Sequence, residues 1–458
     1  MAKELIGNIK GPQGEQGPQG PQGPEGPPGK LSDFMVSIDD YGATGDGVTD
    51  DSDAFNAMLN SEHTSFYIPN RNYLFKSELT VNRNNIKLLS DGTLLFDVVD
   101  GTCLNIAGDD NVISVNVDGQ SLSRIGINVD GRNNIIEKST VKNIYSETDG
   151  AFGINSTQNG DTIIRNNTVD TVTSVGDSTG GNNNGASRAI RITGLSTNDG
   201  FTIIEKNNIR NVLGEEGDAI HLNAPGDDVM EVIVRNNHIY NYSRRAIKIQ
   251  CSKTKILNNT IENYDEHPGL IRCIDLQYID DTVVDGNTLI VSHIGAFGLN
   301  GYDTKDMVNT TITNNTITLL SDQPAIYTSY VDGVIFSGNT ITGGSGIICP
   351  RSKNMMVKDN ILKDLLTTTD DYPMSFINEC ENISIIGNTI KNSQIKRSLR
   401  TTSINVEIIG NNFNNENGVM EVTGGNGVVA NNIVKGYTVI STETPDHTLH
   451  SNVNIPSA

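Results

Sequence analysis

The chain has no tryptophan, only 5% aromatic residues and a hydrophobic fraction of 36% over 458 residues. That is too little to fill one large core of the usual kind, yet the short Ile/Val clusters are too many for a disordered chain. No run of 18 apolar residues occurs, which excludes a membrane-spanning helix and predicts no membrane insertion. Basic residues are scarce: 33 Lys and Arg stand against 55 Asp and Glu, a net charge of −22. A surface so acidic repels phosphate backbones, so no nucleic-acid partner is expected. The five cysteines (Cys103, Cys251, Cys273, Cys349 and Cys380) are odd in number, far apart and without a CxxC pair. They make neither a disulfide framework nor a zinc site.

Glycine is plentiful, with 46 residues, and part of it is strictly periodic: Gly11, Gly14, Gly17, Gly20, Gly23, Gly26 and Gly29. Pro12, Pro18, Pro21, Pro24, Pro27 and Pro28 fill the gaps. Only Gly fits the axis of three wound polyproline helices, so residues 11–29 are expected to form a collagen-like stalk of roughly 55 Å rather than a disordered linker. So short a triple helix needs a trimeric domain behind it, and a homotrimer is the expected assembly.

From residue 92 onward one phrase returns, as in Ile163-Ile164-Arg165-Asn166-Asn167-Thr168-Val169, Ile312-Thr313-Asn314-Asn315-Thr316-Ile317 and Phe336-Ser337-Gly338-Asn339-Thr340-Ile341. Aligning the second polar residue gives anchors at 92, 116, 139, 167, 207, 237, 259, 287, 315, 339, 360, 388, 411 and 431. The mean step of about 26 residues signals a solenoid, and leucine-rich or propeller signatures are absent. Each step holds two or three short strands and a polar turn that bury a core only by stacking. Asn at the turn tolerates left-handed backbone and can ladder with the Asn above and below. Fourteen coils make a column of roughly 60 Å. The Asn-x-Thr triplets, such as Asn258-Asn259-Thr260, read as ladder turns rather than glycosylation sites.

Ahead of the repeats stands Asp40-Tyr41-Gly42-Ala43-Thr44-Gly45-Asp46-Gly47-Val48-Thr49-Asp50-Asp51-Ser52-Asp53-Ala54. It resembles the D-[FY]-G-A-x-G-D-G-x-T-D-D-T-x-A start of the pectate-lyase-like superfamily found in phage tailspikes and preneck appendages, with Ser52 for the usual Thr. Phe66-Tyr67-Ile68-Pro69-Asn70-Arg71-Asn72-Tyr73 resembles that family's P-x-G-x-Y strand, with Arg71 for Gly. The resemblance, over about residues 35–440, implies an all-β, right-handed single-stranded parallel β-helix. Thr49 or Asp50 is expected to cap a helix that buries Ala54, Phe55, Met58 and Leu59. Asp46, Asp50 and Asp51 are explained by turn and cap chemistry rather than by a metal. The divisions expected are residues 1–10 for virion attachment, 11–29 stalk, 30–80 cap, 81–440 β-helix and 441–458 tail.

A second phrase lies between the anchors: Ala189-Ile190-Arg191-Ile192, Ala219-Ile220-His221-Leu222, Ala246-Ile247-Lys248-Ile249 and Cys273-Ile274-Asp275-Leu276. Strand alternation turns Arg191, His221, Lys248 and Asp275 outward, one per coil and about 4.8 Å apart, as an exposed column. Arg188, Asp218, Arg245 and Arg272 precede them by three residues, with Arg244 alongside. Elsewhere the column is expected to hold Asn105, Asn128, Gly153, Gly298, Tyr327 and Ile348. The Gly/Asn-rich stretch from Gly176 to Gly185 falls in this neighbourhood, where loops over a rigid sheet build sites. From Arg188 to Arg272 there are 11 basic and 11 acidic residues, neutral ground on an acidic chain.

Superfamily members degrade acidic polysaccharides by β-elimination or hydrolysis. A lyase needs a cation on the uronate carboxylate and a base for the C5 proton. The expected catalytic residues are His221, Lys248, Asp218 and Asp275, and the expected substrate-binding ones Arg188, Arg191, Arg244, Arg245 and Arg272. A hydrolase needs two carboxylates about 5 to 9.5 Å apart. Asp218 and Asp275 are expected to stand farther apart, which would leave the acid to Asp199, Asp227, Asp228 or a neighbouring chain. Gly217-Asp218-Ala219-Ile220 departs from the G-D-D of polygalacturonases at Ala219. The pairs Asp109-Asp110, Asp227-Asp228 and Asp280-Asp281 lack the spacing of a calcium site, so no metal or other cofactor is expected and calcium stays unsupported. The resemblance thus implies a phage tail fibre or tailspike that binds and depolymerises a bacterial surface polysaccharide, with a non-catalytic adhesin or a spacer as alternatives. Its expected partners are itself, that polysaccharide, and a tail or baseplate protein at the N-terminus. Its expected location is the virion, made in the host cytoplasm without a signal peptide.

Overall fold

The computed structural model describes residues 35–455 apart from 158–160, 177–184, 194–199, 225–230, 268–270, 367–371, 392, 394–396, 424–425, 441–446 and 451. The attachment segment, the collagen-like stalk, most of the Gly176–Gly185 stretch and the loop acids Asp199, Asp227 and Asp228 lie outside the described residues.

The fold is a parallel β-helix. Among the described residues 48 strands join one network in which each strand pairs in parallel with its counterpart one coil on. Three sheets run along the column. The first contains Asn134–Glu137, Thr162–Arg165, Phe201–Glu205 and Glu231–Arg235. The second contains Thr140–Ser146, Thr168–Ser174, Asn208–Leu213 and His238–Tyr242. The third contains Ala151–Ser156, Ala186–Thr193, Glu216–Asn223, Arg245–Gln250 and Arg272–Gln277. Alternate residues such as Ile164, Ile204 and Val234 are fully buried inside, each contributing about 1.5–3 kcal/mol by burial.

The helix Ser52–Leu59 closes one end with Ala54, Phe55, Met58 and Leu59 inward. Phe55 of the helix packs edge-on against Phe75, and Phe75 against Phe96, with ring centroids 5.8 and 5.3 Å apart. The helix cap is Asp51, not Thr49 or Asp50. The Asp51 carboxylate accepts from the Thr44 and Gly45 amides, and Asp50 accepts from the amide and hydroxyl of Ser52. Asp46 accepts from the Val48 and Thr49 amides. Gly45, at φ +63°, leaves no room for a Cβ against the Tyr73 ring, 2.9 Å away. Arg71, the departure from the family pattern, donates to the Thr44 carbonyl and pairs with Asp39.

The asparagine ladder divides between two residues what the sequence assigns to one. The first residue of each doublet takes left-handed backbone, as at Asn314 (55°), Gly338 (65°) and Asp359 (53°). The second is a buried rung. Asn339 Oδ1 accepts from both the amide and Nδ2 of Asn315 at 2.9 Å, and its own Nδ2 donates to Ile312 O at 3.0 Å. Rungs run from Asn167 through Asn207, Asn237 and so on to Asn432 and Asn452. The last rung expected at 431 is therefore Asn432, and Asn431 is its left-handed partner. Stacking also continues where a tail was expected: His447–His450 pairs with Gly427–Ala430, and Val453–Ile455 with Ile433–Lys435.

Candidate functional site

Pairing in the third sheet places Arg191 beside His221, His221 beside Lys248, Lys248 beside Asp275, and then Gly298 and Tyr327. On the other side the neighbour of Arg191 is Asn155, not Gly153, and Asn128 follows. The small residue that opens the repeated phrase sits at Ala151 in that coil, so aligning by type shifts the register by two.

The column is not the exposed one expected. His221 is 7% exposed, Asp275 2%, Arg188 3%, Asp218 0% and Arg245 4%. Stacked coils bring long side chains close enough to cover one another, and these close a ring of hydrogen bonds and ion pairs. Arg188 Nε donates to His221 Nδ1 at 3.0 Å, and His221 Nε2 lies 3.0 Å from Gln250 Oε1. Gln250 Nε2 donates to Gln277 Oε1 at 3.1 Å, and Gln277 Nε2 to Asp275 Oδ2 at 2.6 Å. Arg245 reaches Asp275 at 2.7 Å and Asp218 at 3.2 Å, and Arg188 returns to Asp218 at 3.3 Å. Arg188 also pairs with Glu216, which Arg244 holds from outside at 2.5 Å.

This ring sets the protonation states. Arginine only donates, so Nδ1 of His221 is an acceptor and Nε2 carries the proton given to Gln250. Burial first, and then the Arg188 charge, push the His221 pKa down to about 3. Its lone pair is occupied, which corrects the expectation that His221 stands free as a base. Asp218 and Asp275 are bridged by a single planar guanidinium, so their carboxylates lie within roughly 8 Å; the expectation that they stand farther apart is corrected. Both are committed to ion pairs. Although burial opposes it, Arg188 and Arg245 hold the Asp218 carboxyl below its usual range, the reverse of what a general acid needs.

Among the described residues three cations of the site are without a carboxylate. Lys248 is half-buried and forms no hydrogen bond or ion pair among the described residues. Burial depresses its pKa most; Asp218 opposes that shift, and Arg245 and Arg188 add to it. Arg191 donates to Asn155 Oδ1 at 3.2 Å and lies 4.7 Å over the Phe152 ring. Arg272 donates to the Ile271 carbonyl at 2.8 Å and lies 5.3 Å over Tyr327. Arg191 and Arg272 lie three coils apart, roughly 14 Å along the column, and Arg272 stands three residues before the row of Arg191 and Lys248, roughly 10 Å across the sheet. Six cationic side chains here face the three carboxylates Glu216, Asp218 and Asp275.

Beyond Asp275 the border turns aromatic. Tyr278 and Tyr302 stack face to face, with centroids 3.7 Å apart and 2° between planes, yet are 43% and 51% exposed. Tyr278 takes φ 61° and Tyr330 φ 57°, the left-handed turn conformation that recurs along the column at Lys206, Lys253 and Arg351. Sequence reading misses this ridge and the amides Gln250, Gln277 and Asn300, although an amide or serine recurs two residues after the column at 223, 250, 277, 300 and 329. The site is an open sheet face. A hollow of about 430 Å³ lined by Val99, Leu122, Tyr145 and Glu147 lies elsewhere and lacks the cations. Among the described residues no cluster of His, Cys, Asp or Glu is arranged to hold a metal. Asp280 instead accepts from the Val308 amide and Asp281 from Asn309.

A family model described as periplasmic copper-binding protein (NosD) matches residues 202–405. The α-1,3-glucanase catalytic unit from Streptomyces thermodiastaticus superposes with a TM-score of 0.54 at 15% identity, covering 93% of this chain and 69% of that one. The Dettilon tailspike protein gives 0.47 at 13% identity, over 91% and 68% of the chains. The mannuronan C-5 epimerase AlgE6 A-module of Azotobacter vinelandii gives 0.44 at 15%, over 92% and 100%. The search of curated proteins finds no match. At these identities the shared feature is the fold.

Proposed function

We propose that the chain is a phage tail fibre or tailspike component whose third sheet binds and cleaves an acidic bacterial surface polysaccharide by β-elimination. The observation that carries this reading is Lys248: a half-buried amine with depressed pKa that has no hydrogen bond or ion pair among the described residues, flanked by Arg191 and Arg272, which hold no carboxylate there. An arginine stays charged and neutralises the uronate carboxylate, which acidifies the adjacent C5–H. Neutral Lys248 takes that proton. The C–H electron pair becomes the C4–C5 double bond, and the C4–oxygen bond breaks. The departing oxygen takes a proton, for which the new Lys248 ammonium is a source. His221, Asp218, Asp275, Arg188 and Arg245 act in this scheme as the frame that keeps Lys248 desolvated and aligned. Arg244 steadies that frame through Glu216. The Tyr278–Tyr302 face offers an apolar surface to a sugar ring.

Hydrolysis fits less well, because the three carboxylates of the site, Glu216, Asp218 and Asp275, are all ion-paired. The support for carbohydrate as substrate is chemical, and the glucanase, tailspike and epimerase names among the structural neighbours agree with it. We propose also that the chain assembles as a homotrimer through its stalk and attaches to the tail by its first ten residues. A non-catalytic adhesin using the same face is the second reading, favoured by the saturation of the ring. Incubation with uronate-containing and neutral surface glycans separates them. A lyase generates unsaturated ends on acidic glycans only, a hydrolase generates reducing ends without unsaturation, and an adhesin retains intact polymer.

A further inference from the structure

The outer faces of the three sheets differ in kind. The third carries the charged ring. The second presents Thr140, Thr168, Asn208, His238, Thr260, Thr288, Thr316 and Thr340 in register, polar over eight coils before Ile361 follows. The first presents Val112, Ile135, Ile163, Ile203 and Ile233 on five successive coils, each directly above the last. Beyond Lys255 the same outward position holds Val283, Thr311, Ile335 and Met356. These are not core residues, because their strand neighbours Ile136, Ile164, Ile204 and Val234 fill the interior. Strand propensity does not demand them either: threonine meets that demand on the second sheet. Beside the stripe Glu137 pairs with Arg165 at 2.6 Å and Glu205 with Arg235 at 2.7 Å, so these border charges offset one another.

We infer that this face of the first sheet is the contact between copies of the chain, a deepening of the homotrimer reading on which it rests. Single exposed apolar residues are ordinary, but a contiguous stripe marks an interface. From Val112 to Met356 it runs nine coil steps, roughly 43 Å. Across strands of four to five residues, roughly 15 Å, the face supplies roughly 600 Å², somewhat under one side of a standard interface. The occupant is a second copy because the seven-glycine period at 11–29 ends a few residues before the column begins at Val36. Three chains wound there deliver three β-helices side by side at equal height. Each copy carries −22, so they repel least where a face is mostly apolar; the one charge within this row, Lys255, is paired with Glu231 at 2.8 Å. Contact through the first sheet leaves the ring and the tyrosine ridge of the third facing outward.

The test uses the full-length chain with a single cysteine added. Ile335 on the stripe and Ile361 on the second sheet are both 39% exposed in one chain, a matched pair. All five native cysteines are buried, so a maleimide reports the added thiol. Solution mass is measured on the wild type and both variants. The inference predicts a trimer in which the Ile335→Cys thiol reacts at least tenfold more slowly than the Ile361→Cys thiol. A trimeric wild type that only Ile335→Cys dissociates supports it equally. Trimers in which both thiols react alike overturn the face while leaving the trimer intact. A monomeric wild type overturns the trimer and the face together.

Discussion

Two neighbours in one column have opposite fates. His221 and Lys248 both sit among cations, but His221 has both ring nitrogens occupied and Lys248 has none of its protons placed. Their identities and adjacency were legible in the sequence, because alternation and a fixed phrase put them in line. Their burial was not, because it depends on which long side chains of neighbouring coils fold over one another. A pH dependence follows from His221. Its pKa is near 3 when folded and near 6.5 when unfolded, so the unfolded state binds the extra proton in between. Stability is therefore highest above about pH 6.5 and falls as pH drops toward 3, by about 1.4 kcal/mol per unit. Thermal melts at pH 7 and pH 5 should show this fall, with a shallower slope in His221→Gln. An equal slope in that variant would assign the fall to other groups.

At the scale of a strand and its turn, the ladder was readable as a repeating doublet, and its division of labour was not. Spacing locates the turn, but which residue takes positive φ depends on the backbone path. The consequence is energetic. Asn339→Ala deletes the acceptor of the buried Asn315 amide as well as a side-chain pair, a loss of about 3 kcal/mol. Thr340→Ala, one residue on and turned outward, should stay within about 0.5 kcal/mol. Denaturant melts of the two decide, and equal losses would contradict the inward assignment. Arg245 moves category in the same way. Sequence alone reads it as a substrate clamp, but it is buried against two carboxylates. Arg245→Met should cost about 3 kcal/mol, because Asp275 loses its ion pair and Asp218 keeps only Arg188, visible as a fall in melting temperature before any assay of binding.

For the whole molecule the β-helix was legible from periodicity and the opening motif, since both report backbone geometry that stacking then enforces. The chemical specialisation of the three faces was not, because it emerges only once register brings distant coils together: Asn155, for example, stands beside Arg191, 36 residues away. Mass measurement of the intact protein should give three chains of 49.4 kDa, and a monomer would remove the triple-helix argument. The central claim is that the third sheet is a lyase site run by Lys248. It is tested most directly by following unsaturated-product absorbance on an acidic surface polysaccharide with wild type and Lys248→Ala side by side. The account predicts a steady rise with wild type and at least a hundredfold slower rise with a Lys248→Ala protein of unchanged melting temperature. Equal rates in the two proteins, or no unsaturated product from any uronate glycan that the wild type binds, would contradict it.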